Sequence, residues 1–195
     1  MEVHRPGEKL REVYFPEGSL VSLLVAVEPG SYVEVGMVGG EGMVGLAVAL
    51  GADSAPMRAL VQHPGLALRT SVALLQAELG RSPVLRRAMA RCAYVAMATA
   101  MQITGCNARH TLESRLARWL LMTRDRVWAS ELTLTQGLLA HMLGVQREGV
   151  TKAASALRRR GIIEYERGRI RILDHDGLRA ASCACYGVIR KLDRT

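Results

Sequence analysis

Short apolar runs separated by turn residues fill the chain from Leu10 to about Thr70. LREVYF precedes Pro16-Glu17-Gly18, LVSLLVAV precedes Glu28-Pro29-Gly30, YVEVGMV precedes a glycine-rich corner, and MRALVQ precedes His63-Pro64-Gly65. Strands this closely spaced predict a β-sandwich or barrel. Within YVEVGMV, Tyr32, Glu34 and Gly36 alternate with Val33, Val35 and Met37, a period of two that predicts one wet face and one buried face.

At Ser71 the pattern turns helical. Ser82 is the expected cap of a long helix that starts at Pro83 and runs to about Asn107. Between Val84 and Ile103, 15 of 20 residues are apolar, and no charge occurs from Cys92 through Ala108. Such a helix needs partners on more than one side. Spacings of three and four place Leu85, Ala88, Cys92, Val95, Thr99, Gln102 and Cys106 on one seam, and Met89, Ala93, Ala96, Ala100 and Ile103 on another. One seam is expected on the β-domain and the other on a second copy of the helix. Leu85, Cys92, Val95, Thr99 and Ile103 are the candidate dimer-helix positions; the alternative is a helix wrapped within its own monomer.

TLESRLARWLLMTRDRV predicts a supporting amphipathic helix, with Leu112, Leu116, Trp119, Leu120 and Thr123 on its stripe and Arg115, Arg118 and Arg124 outside it. LTLTQGLLAHMLGVQREGVTKAASALRRRG then contains a short helix capped by Thr135, a break at Gly144, and a second helix from about Gln146 to Arg160 that stops at Gly161. This is a helix-turn-helix pattern. Ala140 is small where the helices cross, and Leu139, Leu143, Val145, Val150 and Ala153 supply the inner faces. Gln146, Arg147, Glu148, Thr151 and Lys152 stand outside that core, with Thr135 and Gln136 at the start of the first helix. Arginine can fork onto guanine and glutamate can accept from cytosine, so these positions suit base reading in a major groove. GIIEYERGRIRIL follows with the alternation and central Gly168 of a hairpin. It reads as a wing whose Arg167, Arg169 and Arg171 face phosphates.

Charge sharpens this division. The net charge is +8; residues 1–108 carry nine basic and nine acidic side chains, so the entire excess lies in 109–195. From Arg147 to Arg171 there are eight basic and three acidic residues. Nucleic acid is the expected partner, although Arg158-Arg159-Arg160 would equally complement a helix dipole. The reading is therefore α+β, with domains at 1–80, 81–108 and 109–195. No long uncharged apolar run or signal-like segment is present, which predicts a cytoplasmic protein.

A β-rich first domain, one long apolar helix and a winged helix-turn-helix resemble the Crp/Fnr family of bacterial transcription regulators. Thr135, Gly144 and the Arg147-Glu148 pair match the family's cap, turn and recognition-helix pair, with Lys152 where the best-known members have arginine. The resemblance implies an N-terminal jelly-roll of the cyclic-nucleotide-binding type, a dimerisation helix, and a homodimer on two-fold symmetric sites in double-stranded DNA. It also implies a small-molecule effector and RNA polymerase as partners. Gly40, Glu41, Gly42, Gly45 and Arg58 become the candidate effector-facing residues. Two departures stand out. Leu46 follows Gly45 where nucleotide-binding members have glutamate, and Arg58-Ala59 is out of step with their phosphate-gripping arginine. No cysteine precedes Cys92, whereas iron-sulfur members hold their cluster with N-terminal cysteines. Both cofactors are disfavoured and the effector is unassigned. The family usually has a further helical and strand segment at the N-terminus, so the resemblance implies a barrel lacking an edge or a start lying upstream.

Cys183 and Cys185 fall in DGLRAASCACYGVIRKL, read as a final helix. Residues two apart point to opposite sides of a helix, so the pair reads as buried small hydrophobes that cannot share an ion unless the helix unwinds. His63, His110, His141 and His175 show no ligand spacing, and no metal site is expected. No nucleophile and base stand at recognisable spacing, so the chain is read as a non-enzyme. The competing readings are an enzyme with a basic appendage and a ligand-binding or thiol-redox module using Cys92 and Cys106.

Overall fold

The computed structural model describes residues 1–127 and 131–193, which divide into two compact units. The first comprises Met1–Val25 and Val35–Ala100; the second comprises Ala26–Glu34 and Met101 onward.

The first unit is built on antiparallel strands. β1 (Glu2–His4), β5 (Arg58–His63), β3 (Leu20–Glu28) and β4 (Ser31–Val38) form one sheet in that order, while β2 (Glu12–Glu17) pairs with β6 (Leu66–Ser71) in another. Leu20, Val21, Ser22 and Leu24 of β3 are buried, so this strand is covered on both faces. Ser22 resolves its polarity by donating to Gln62 Oε1 at 2.6 Å. Leu10, Val13, Met43, Val48, Ala55 and Leu75 form one cluster; Val21, Val38, Val44 and Ala59 form a second. α1 (Val72–Arg81) is capped by Ser71, whose hydroxyl accepts from the Leu74 amide. α2 (Pro83–Arg109) then carries the chain into the second unit, its first turn capped by the Ser82 hydroxyl accepting from the Leu85 amide.

The second unit is organised around α3 (Leu112–Val127). β7 (Glu131–Thr133), α4 (Gln136–Leu143), α5 (Arg147–Arg159), β8 (Ile163–Glu166), β9 (Arg169–Ile172), α6 (His175–Ala181) and α7 (Cys185–Leu192) follow. α5, α6 and α7 all pack on α3, and α5 also packs on α4. β9 is central in the order β7-β9-β8, so the wing is a three-stranded sheet rather than a lone hairpin. Gly144 adopts φ 62°, and its amide and that of Val145 return to the His141 and Ala140 carbonyls. That left-handed residue lets the chain reverse between α4 and α5 within one turn. Arg115 donates to the Leu143 carbonyl at 2.5 Å, supplying a partner at the end of α4.

Beyond the wing, the structure departs from the sequence-based expectations in four places. Glu34 is buried rather than wet, because its Oε1 accepts at 2.7 Å from the indole N–H of the equally buried Trp119. α3 is not a one-sided helix: Leu116 through Thr123 are buried without interruption, Arg118 among them, because three helices surround it. On α2, Leu85 packs against the core of the first unit, and Cys92 stands by Gly42 and Met43, so both face inward. The large apolar side chains of α2 left exposed are Val84 in its first turn, at 68%, and Tyr94, Met97 and Met101 further along, at 56, 51 and 65%. Finally, the last helical stretch is broken. α6 ends at Ala181, Ser182 is extended with ψ 158°, and α7 begins only at Cys185. Cys183 and Cys185 would point apart only on an unbroken helix, and the break lets them turn to the same side.

Trp119→Phe keeps an aromatic ring but removes the indole N–H and part of the buried volume, so the Glu34 carboxylate loses a charge-assisted bond and a small cavity opens beside it. The expected outcome is a loss of about 1.5–3 kcal/mol in urea unfolding, with secondary structure unchanged.

Candidate nucleic-acid interface

α5 is amphipathic by construction. Val150, Ala153, Ala154 and Leu157 are buried, whereas Arg147, Glu148, Thr151, Lys152, Arg158 and Arg159 are exposed, as is the N-terminal flanking residue Gln146. The sequence-based division between inner and outer positions matches this burial at every residue named for the outer face. Glu148 lies in the first turn, where the helix dipole favours an anion.

α4 positions the outer face through one side chain. Gln136 Oε1 accepts from Thr151 Oγ1 at 3.0 Å and from Arg147 Nε at 3.4 Å. The Arg147 guanidinium is thus steered through Nε, which leaves its terminal pair of nitrogens available as a fork. Thr135 caps α4 by accepting from the Leu138 amide at 3.2 Å, so its hydroxyl has a structural task beside any contact it makes outside the protein. Gln136 was expected only as a contact residue; the structure adds the bracing of two recognition-helix side chains. A carboxamide at the first helical position, facing an arginine eleven residues on, is the sequence signal for this arrangement.

The wing lies against the same corner. Tyr165 donates to the Leu134 carbonyl at 2.9 Å, and the Leu134 amide donates to the Gly168 carbonyl at 2.6 Å. Burial pushes the Tyr165 phenol above its ordinary value, and the nearby Arg147 charge opposes that shift. The phenol is therefore a neutral donor at physiological pH. Thr135, Gln136, Arg147, Tyr165, Arg167 and Gly168 line an open groove of about 390 Å³. Residues from the first helix, the recognition helix and the wing thereby converge on one surface.

The wing arginines are not equivalent. Arg171 pairs with Glu164 and Arg169 pairs with Glu131 at 3.7 Å, both on the exposed sheet. Arg160 is paired with Glu113 at 2.7 Å. Arg167 occupies the tip with φ 47°, followed by Gly168 at 78°. Both central residues of this two-residue turn are left-handed, the geometry a type I′ hairpin requires. Arginine is a poor fit there, since a Cβ in this region costs about 1–2 kcal/mol.

The candidate effector residues fall elsewhere, in the first unit. Glu41 Oε1 accepts from the Gly39 amide within its own loop, and Gly45 is the left-handed cap of the short 3-10 helix Leu46–Leu50. A Cβ at Gly42 would stand 3.0 Å from Val38. Arg58 is ion-paired with Glu2 at 2.8 Å. These contacts gather around strands and a loop, and none of them joins one candidate to another.

Residues 114–181 match the family model of the Crp-like helix-turn-helix domain. Among solved structures, FixK2 from Bradyrhizobium japonicum is similar with a TM-score of 0.80 at 19% identity, covering 94% of this chain and 93% of that one. TTHB099, a CRP-family transcriptional regulator from Thermus thermophilus, gives 0.77 at 20% identity, with 93% of each chain covered. TTHA1359, a CRP/FNR-family transcriptional regulator from the same organism, gives 0.74 at 24% identity, covering 93% of this chain and 94% of that one. No curated protein matches the sequence. Residues 114–181 are thus a Crp-like helix-turn-helix domain, carried by a chain with the fold of the Crp/Fnr transcription regulators.

Proposed function

We propose that this chain is a transcription regulator that binds double-stranded DNA as a homodimer, with α5 in the major groove and the wing on the adjoining backbone. The observation that carries this reading is the outer face of α5. Gln146, Arg147, Glu148, Thr151 and Lys152 are exposed together, and Gln136 steers the arginine that leads them. Arg147 and Glu148 supply a bidentate donor and an acceptor for base edges, while Lys152 adds a point charge. Arg167, at the wing tip, is the leading phosphate contact; Arg169 and Arg171 would first have to exchange a carboxylate for a phosphate. Exposed ion pairs cost little to exchange, on the order of 0–1 kcal/mol.

The second copy belongs on α2. Tyr94, Met97 and Met101 recur at spacings of three and four along a helix with no charge from Cys92 through Ala108, so their exposure leaves an apolar stripe suited to a matching helix. Val95, Thr99 and Ile103, also assigned to the dimer helix from sequence, are only half-buried and by helical geometry lie on the side of α2 away from that stripe. Two recognition helices so joined would address half-sites one DNA turn apart. Because α2 runs from one unit into the other, a change in its packing is the route by which the state of the β-domain would alter DNA affinity. A small-molecule effector and contact with RNA polymerase complete this reading.

A duplex selected from a random DNA pool provides the test, with binding followed by fluorescence anisotropy. Arg147→Ala should cost about 1–3 kcal/mol on the selected duplex and little on a scrambled one. Arg167→Asn should weaken both duplexes alike and lower the slope of log affinity against log salt by about 1. The same substitution should raise stability by about 1 kcal/mol in urea, because asparagine tolerates the left-handed turn. Equal losses on both duplexes for Arg147→Ala, or a flat salt response in the unmutated protein, overturn the interface. In sedimentation, Met97→Glu with Met101→Glu should convert dimer to monomer; an unchanged dimer removes α2 as the seam.

A further inference from the structure

The second unit holds a cluster of side chains that DNA reading does not use. Cys106 lies in the last turn of α2 and His110 just beyond its end, its amide donating to the Cys106 carbonyl, while Cys183 lies in the break between α6 and α7 and Cys185 opens α7. One ligand atom from each of these four residues lies within 4.8 Å of every other. Cys106 Sγ and Cys183 Sγ are 3.4 Å apart, and Cys185 Sγ is 3.7 Å from His110 Nδ1.

These spacings carry chemical information. An ion held tetrahedrally with sulfur at about 2.3 Å and nitrogen at about 2.0 Å places two sulfurs about 3.8 Å apart, and a sulfur and nitrogen about 3.5 Å apart. The Cys106–Cys183 and Cys185–His110 edges lie within a few tenths of an ångström of those values, and the other four are no longer than 4.8 Å. An iron-sulfur cluster distributes its cysteines over separate irons and requires a wider cage.

Buried cysteines alone commonly pack as small hydrophobes, and Cys106, Cys183 and Cys185 do form an apolar cluster. Three features exceed that description. His110 adds an imidazole nitrogen at the same point and is itself exposed, which gives an ion a route in. Gln102 Nε2 donates to Cys185 Sγ at 3.1 Å, the outer bond that orients and stabilises a thiolate ligand. Arg118 is 2% exposed and its Nε has no hydrogen-bond partner among the described residues. It interacts electrostatically with Cys106, and the half-buried Arg115 does so with Cys106 and Cys183. Three thiolates and a neutral imidazole give a bound divalent ion a net charge of about −1. These guanidiniums supply the opposite charge.

We propose that Cys106, His110, Cys183 and Cys185 form a tetrahedral site for one thiophilic divalent cation of the Zn²⁺ class. The ion fastens the end of α2 to the break between α6 and α7, two parts of the second unit separated by the entire helix-turn-helix and wing in sequence. The site stands apart from the DNA-binding reading; an effect of occupancy on DNA affinity would rest on that reading.

The test uses the full chain, purified under reducing conditions, stripped with a chelator and titrated with Co²⁺. The expected result is one equivalent per chain, with the intense visible bands of four-coordinate cobalt, thiolate-to-metal charge transfer, and loss of colour on adding Zn²⁺. Cys183→Ser and the exposed-site His110→Ala should each weaken binding by more than about tenfold, while Cys92→Ala, in the first unit, leaves it unchanged. Circular dichroism separates ligand loss from unfolding, and His110→Ala retains the buried thiols if Cys183→Ser proves unstable. A six-coordinate spectrum, unchanged affinity in His110→Ala, a Cys106–Cys183 disulfide forming under the reducing titration conditions, or iron recovered with acid-labile sulfide would each overturn the proposal. DNA affinity is measured on separate aliquots of stripped and loaded protein. Loss of DNA binding with intact cobalt spectra therefore counts against the interface and leaves the metal site standing.

Discussion

The arrangement of the second unit depends on burial of one side of α5. Val150, Ala153, Ala154 and Leu157 have no more than 6% of their surface exposed, on a helix that packs against α3 and α4. Burying a leucine fully is worth about 1.5–3 kcal/mol, so a few such side chains outweigh any single polar contact nearby. Once those positions are fixed, helical geometry leaves no freedom for the remainder. Arg147, Glu148, Thr151 and Lys152 emerge on the opposite side because they occupy the complementary positions of the same turns. The polar contacts through Gln136 refine where the arginine lies; the apolar face determines that it lies outside at all.

α3 bears the cost of this scheme. A helix enclosed by three others must hide its polar residues too, and Arg118 is buried with its Nη1 directed to the Met122 sulfur at 3.2 Å. Trp119 uses its indole for a similar purpose, bonding Glu34 from the β3–β4 hairpin. Each satisfies a group that would otherwise be expensive to enclose, which is how a crowded centre can tolerate charge.

Local patterning made the reading head legible. The Thr135 cap, the Gly144 reversal and the division of α5 are set within a few residues of one another, so periodicity alone finds them. Glu34 escaped because its partner lies 85 residues away and no alternation rule anticipates a distant indole. Arg118 escaped for a related reason: an amphipathic stripe assumes one solvent face, and packing removed it. β7 contributes three residues to the wing and has too short a pattern to register. At Cys183 the continuous apolar character of the segment concealed a change in backbone direction, and with it the approach of two cysteines to Cys106 and His110. On α2 the sequence counted Leu85 and Cys92 with the dimer seam, whereas both face the first unit. An almost uncharged helix offers several equivalent stripes, and only the position of the first unit's core selects among them.

The placement of the β3–β4 tip has a consequence for how this molecule can be divided. Ala26–Glu34 belongs with the C-terminal unit, and it brings both the acceptor for Trp119 and Val33, whose methyl lies 3.1 Å from where a side chain at residue 144 would begin. The polypeptide therefore passes between units at three places, and severing it beyond α2 would not release a self-sufficient fragment. Such a piece would lose the carboxylate under its central tryptophan and the lid over its reversal. The reading head is, in genetic terms, encoded in two separated stretches, so recombination or fusion that exchanges only the downstream stretch transfers an incomplete fold.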